Sequence, residues 1–319
     1  MMALLVFREK LRSFYGKYDA FIIPLAKFGL GLAVFFILNI NVGFMVKLKN
    51  PVIPVVLALA CSFLPYGVIS FLAGLVLLGH ISSVSVEMAL ILAVLLVMVA
   101  ILYYAFQPGD SYLLLLTPVF FYLRIPYAIP LLAGLSGGLT GAIPVSCGVF
   151  MYYIVQYVKQ NVGVLTNDTT ADIIQKYVQI VRNIVSNNQM LLMIAVCAAG
   201  ILVVYLIRIL SVDYAWHIAI VTGALVQLAV VFVGDFVFDI STPVIELLAG
   251  TMASVLIALV YNFFVFAVDY SRTEYLQFQD DDYCYYVKAV PKITVSAPDV
   301  KVQKINSSKN RRNREFPER

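Results

Sequence analysis

Eight apolar stretches of about 20 residues or more follow one another along this 319-residue chain, at 21–45, 52–79, 84–106, 112–133, 139–158, 190–210, 214–235 and 244–268. Twenty helical residues rise about 30 Å, the thickness of a bilayer's hydrocarbon core. Within that core each segment must satisfy its own backbone amides, and an α-helix does so. A single soluble core could not absorb this much apolar chain. Hydrophobic residues make up 62% and charged residues 13%, against roughly 45–50% and 25% in ordinary globular domains. The sequence predicts an all-α polytopic transmembrane helix bundle of about eight spans, and excludes a soluble enzyme or a disordered chain.

Two of the eight stretches are irregular. Pro65 interrupts 52–79, while Pro118, Arg124, Pro126 and Pro130 break up 112–133, because proline lacks an amide proton and clashes with the preceding turn. Around the spans the chain divides further. Residues 1–20 carry Arg8, Lys10, Arg12 and Lys17 on an amphipathic segment that precedes membrane spans one to five, 21–158. In 159–189, Ile173, Ile174, Tyr177, Val178, Val181, Ile184 and Val185 recur at spacings of three and four. This predicts an amphipathic helix, capped by Thr169 and Asp172, lying on the outer surface or closing the bundle.

Spans six to eight fill 190–268, and a tail occupies 269–319, with strand-like residues up to Pro291 and disorder from about 296. Basic residues at the span ends favour cytoplasmic N- and C-termini in a bacterial cell membrane. Between 288 and 319, nine Lys or Arg against three Asp or Glu leave a net charge of +6, suited to anionic inner-leaflet lipid. Only Phe316 accompanies the final basic run, so the aromatic interleaving of a nucleic-acid surface is missing and no such partner is expected.

A repeat is legible between two spans. HISSVSVEMAL at 80–90 aligns with DISTPVIELLA at 239–249, matching Glu87 to Glu246, and VMVAILYYAF at 97–106 aligns with VLIALVYNFF at 255–264. Standing five spans apart, in the third and the eighth, the copies would run in opposite directions, the inverted-topology arrangement of many secondary transporters.

Ionisable residues in such segments are the first functional candidates. Glu87 and Glu246 either handle a coupling proton or cation or stand in the first helical turn, where the helix dipole favours a carboxylate. Arg124, among prolines, either orients an anionic substrate group, pairs with a carboxylate, or snorkels to the interface. Asp235 and Asp239, four apart, would share one helical face and attract a cation at the outer mouth, or simply edge a solvated loop. Gly134 and Gly138, with Gly137 and Gly141, give GxxxG spacings suited to close packing or a hinge beside Pro118, Pro126 and Pro130.

No catalytic constellation is visible. There is no CxxC pair, HExxH or Walker A loop, so no metal, cofactor or enzymatic activity is expected. Cys61, Cys147 and Cys197 read as small apolar fillers.

The string VDYSRTEYLQFQDDDYCYYVKAVPKI, 268–293, resembles the tail of uncharacterised multi-span membrane proteins of anaerobic Gram-positive bacteria, some labelled ABC transporter permease. The resemblance extends loosely over the spans and supplies no binding residues. A permease subunit of that kind implies a separate ATPase partner. The expectation is therefore an integral membrane permease or transporter of an unidentified solute, with its path near the broken fourth span and with homo-oligomer formation open. The alternatives are a scaffold that recruits a partner through its cytoplasmic tail, and an ABC-type permease subunit.

Overall fold

The computed structural model describes residues 2–106, 111–165, 173–266, 274–279 and 284–289. They fall into two compact units, Phe14–Ala267 and Met1–Ser13 with Val268–Arg319. In the second unit, β1 (Glu274–Gln279) and β2 (Cys284–Ala289) pair antiparallel, with Gln277 opposite Tyr286. This hairpin is an addition to the expected all-α fold. The Thr169–Asp172 cap and the tail beyond 289 lie outside the described residues.

The larger unit is an all-α bundle, and the chain is a multi-pass membrane protein. Six helical segments among the described residues are long and apolar enough to cross a bilayer. They are α1 (Met2–Asn41, with non-helical backbone at Tyr18), α4 (Val86–Phe106), α7 (Ala142–Leu165), α9 (Asn188–Arg208), α10 (Ala215–Phe238) and α11 (Val244–Tyr261). A 3-10 turn, Leu139–Gly141, precedes α7, and a π-helical turn, Asn262–Phe266, follows α11.

The two proline-interrupted stretches do not cross once each. The first becomes α2 (Val52–Cys61) and α3 (Tyr66–Ser82), the second α5 (Ser111–Tyr122) and α6 (Ala128–Ser136). The ten residues of α2 and nine of α6 rise only about 15 Å or less, half of a hydrocarbon core.

Side-chain contacts fix the direction of each piece. Asn39 Nδ2 donates to the Lys49 carbonyl (3.0 Å), and Ser62 Oγ donates to the Pro24 carbonyl (2.8 Å), so α2 runs back along α1. The chain then reverses. Tyr66 lies under the Lys27 ammonium (5.3 Å), and His80 Nδ1 accepts from the Met45 amide (3.3 Å). The α2–α3 hairpin thus enters and leaves at the Asn41 end of the bundle.

The α5–α6 hairpin does the opposite. Leu113 faces Gly141, Thr117 faces Gly148, and the Phe121 ring lies 4.9 Å from that of Tyr152, so α5 runs parallel to α7. At its far end α7 reaches the Asn41 end, where Lys159 Nζ donates to Asn41 Oδ1 (3.0 Å). Returning, α6 runs parallel to α9: Gly134 packs on Val204, and Arg208 Nη1 donates to the Leu135 carbonyl. This second hairpin enters and leaves at the end remote from Asn41.

Among the described residues the eight apolar stretches thus form six helices long enough to cross a bilayer and two helical hairpins that enter from opposite ends. The inverted repeat falls with that arrangement. Helix α10 runs antiparallel to α9 through Gly200–Gln227, Gly223–Val204 and Gly234–Leu192. In turn α11 runs back along α10, with Leu247 clustered with Val231 and Ala258 with Ala219. Helices α4 and α11 consequently run the same way. Their buried faces agree over two turns, Met88, Ile91 and Leu92 against Leu247, Gly250 and Thr251, and then diverge at Val99 and Tyr103.

At the centre lies α6, with seven of its nine residues buried among α5, α7, α9, α10 and α11. Pro130 is tolerated there because the first helical turn has no intrahelical partner for its amide. The amphipathic segment forms α8 (Ile173–Val185), whose Ile180 and Ile184 close the bundle over Ile81, Met88 and Val158.

Candidate functional site

The tip of the second hairpin is built by a helix stop. Ile125 N–H bonds the Phe120 carbonyl (3.0 Å) and Arg124 N–H the Phe121 carbonyl (3.1 Å), the double closure of a Schellman cap. Its left-handed position, normally glycine's, is held by Arg124 at φ 60°, at a conformational cost of about 1–2 kcal/mol. Pro126 then bars the helix from continuing.

Arg124 pairs with Glu246, which stands in the first turn of α11, at 3.1 Å. The two side chains are 80% and 59% exposed, so in a wet interface the pair contributes about 1 kcal/mol or less. Close backbone approach supports it: a Cβ on Gly250 would lie 3.3 Å from the Arg124 carbonyl.

The remaining candidates do not gather there. Glu87 accepts from Ser85 Oγ (2.5 Å), and Ser85 also accepts from the Met88 amide (3.3 Å), closing the first turn of α4. Asp235 turns into its own loop, accepting from the Thr242 amide and hydroxyl (3.2 and 2.8 Å). Asp239, exposed and left-handed at φ 53°, ends α10. The two aspartates are thus divided between a loop staple and a helix cap rather than poised as a cation pair. Among the glycines, a Cβ on Gly134 would fall 2.7 Å from Val204, but Gly138 lies beyond α6 in extended backbone and would meet only Thr140 at 3.7 Å. The GxxxG spacing is not a helix face.

Among the described residues no three His, Cys, Asp or Glu cluster as metal ligands, and Cys61, Cys147 and Cys197 are buried free thiols.

Two interior features escaped the sequence reading. Gln227 is fully buried in α10 against Gly200, with neither amide atom hydrogen-bonded. A lone side-chain amide in the apolar run ALVQLAV was its available signal. The second feature is a cavity of about 350 Å³ between α1, α3, α4, α5 and α7. Its α3 wall belongs to one hairpin and its α5 wall, including Pro118 and Tyr122, to the other. The lining is almost wholly apolar. Tyr122, two residues before Arg124, has a buried hydroxyl without a hydrogen-bond partner. Compared with protein-family models, curated proteins and solved structures, the chain matches none.

Proposed function

We propose that this chain is a carrier of the bacterial cell membrane, with both termini cytoplasmic, that moves a solute through the space between its two opposed hairpins. The observation that carries the reading is the cavity walled by α3 of one hairpin and α5 of the other. Interrupted helices within a membrane bundle occur where they border a binding cavity. Hairpins entering from opposite ends give two elements whose separate movement would open that cavity to either side. Arg124 and Glu246 act in this reading as a latch between the hairpin tip and α11. The strained Arg124 backbone supports a tip built to move.

The test is flux in proteoliposomes with reporter insertions at 48, 84, 108 and 300. Flux that survives deletion of 296–319 but changes with Arg124→Ala supports a carrier. Flux equal to the parent's in both Arg124→Ala and Glu246→Gln removes the latch. Insertions at 48 and 84 on one side, with 108 and 300 on the other, are required by the two hairpins.

A second reading rests on the β1–β2 hairpin, whose Tyr285, Tyr286 and Val287 are exposed. In it the chain is a scaffold, or a permease subunit with an ATPase partner, that recruits through this tail. Loss of a co-purifying partner on deleting 274–289, with no flux in either form, favours it.

A further inference from the structure

The cavity also identifies a substrate class. Its α3 wall runs from Gly67 to Leu78, about 16 Å of helix. A volume of about 350 Å³ lies along that length. With carbon contacts at about 3.5–4.0 Å, apolar walls of that length match an extended hydrocarbon chain. The volume also falls within the roughly 300–1,000 Å³ range of ligand sites.

The mouth points to where that chain comes from. Phe71, Leu75 and Val97 line the cavity and are themselves 63%, 46% and 58% exposed. The cavity therefore opens sideways between α3 and α4, onto an outer face that also carries Val94, Met98 and Ile101. An apolar bore with a lateral mouth in a membrane bundle exchanges contents with the bilayer, whereas a polar solute would leave its hydrogen bonds behind. Polar groups are sparse within it. Ser70 Oγ is engaged with the Tyr66 carbonyl, Tyr152 Oη accepts from Gln156 Nε2, and the Tyr122 hydroxyl is buried within the wall.

We propose that this cavity takes the acyl chain of a membrane amphiphile, such as a long-chain fatty acid, entering between α3 and α4; the proposal rests on the carrier reading for its role as substrate, though not for its binding.

The test uses the full chain in nanodiscs of phosphatidylcholine and phosphatidylglycerol, with a diazirine-bearing palmitic acid as probe. The expected result is saturable photolabelling, with adducts on α3, α4 and α5. Unlabelled palmitate should reduce it about tenfold, and so should filling the bore with Ala100→Phe or Ser70→Phe. Leu256→Phe, on the exposed face of α11, should leave labelling unchanged. Competition and adduct mapping use the unaltered protein, so they decide the matter even if both filled variants misfold. Non-saturable labelling or adducts spread over α9–α11 would overturn the proposal. Parallel flux assays separate the two readings. Saturable labelling without amphiphile transport leaves the cavity site standing and removes the carrier. Transport of a polar solute by an unlabelled cavity does the reverse.

Discussion

The α9–α10 pair and the α3–α4 pair are both antiparallel, both apolar and built on opposite packing logics. Between α9 and α10 three glycines take positions where a Cβ would collide: Gly200 with Gln227 at 2.7 Å, Gly223 with Val204 at 2.3 Å, Gly234 with Leu192 at 2.0 Å. Between α3 and α4 only Gly74 approaches, at 3.3 Å from Leu96, and beside it the cavity opens. In a bilayer no hydrophobic force drives helices together, so association relies on small residues and close van der Waals contact. The pair that has them is locked. The other leaves room that a chain from the membrane can fill. The central α6 packs against the locked side, and α5 borders the open one.

Overpacking the locked side should have the largest effect. Gly223→Leu is expected to destabilise by about 3 kcal/mol or more, read as a lost or strongly lowered Tm by circular dichroism in detergent. Gly29→Ala is the control. Its Cβ meets nothing within 4 Å, so the change should be about 1 kcal/mol or less, toward greater stability. Similar losses in both would erase the contrast.

Core volume sharpens it next. Ala133 in α6 is fully buried, and Ala133→Leu should cost about 1–3 kcal/mol. Ala100 lines the cavity, so Ala100→Leu gains wall contacts without displacing neighbours and should alter Tm little. If Ala100→Leu is as damaging as Ala133→Leu, the space beside α4 is not available to a ligand.

Gln227 is an exception within the locked side. Its amide is buried and unpartnered, a desolvation penalty of about 1–3 kcal/mol. Gln227→Leu removes that penalty at similar size and should raise Tm by an amount worth about 1 kcal/mol. A lowered Tm would mean that the amide is bound to water or ligand in the folded protein.

Much of the fold was legible in sequence. The eight apolar stretches, the two irregular ones, the strand-like tail and the amphipathic helix all follow from periodicity and proline. Direction was not. Pro65 and Pro126 announce a break but not its angle, and a kinked crossing and a returning hairpin have the same local sequence. What decides between them is cross-helix contact, such as Ser62 with Pro24 or Gly134 with Val204. One misjudged reversal, at the α5–α6 hairpin between α4 and α11, left the repeat inverted on paper and parallel in the fold. The cavity was invisible for a related reason. Its wall is drawn from five helices between Val34 and Val155, and no periodicity spans that distance. Arg124 was legible as special, whereas its left-handed backbone, usually glycine's, was not.

That backbone yields the smallest prediction and separates charge from conformation at the hairpin tip. Glu246→Gln removes only the ion pair and should cost about 1 kcal/mol or less, shrinking as salt is raised. Arg124→Gly removes the same pair but also releases a left-handed residue worth about 1–2 kcal/mol, so it should equal or slightly exceed the parent in Tm. The double variant should then match Arg124→Gly alone, because the pair is already gone. Chemical denaturation of the four proteins at low and high salt tests this directly. A loss of 3–5 kcal/mol on Glu246→Gln would place the pair in a dry, low-dielectric setting, where one uncompensated charge is that costly. The tip would then belong to the locked side of the bundle, and a latch that opens there would no longer be tenable.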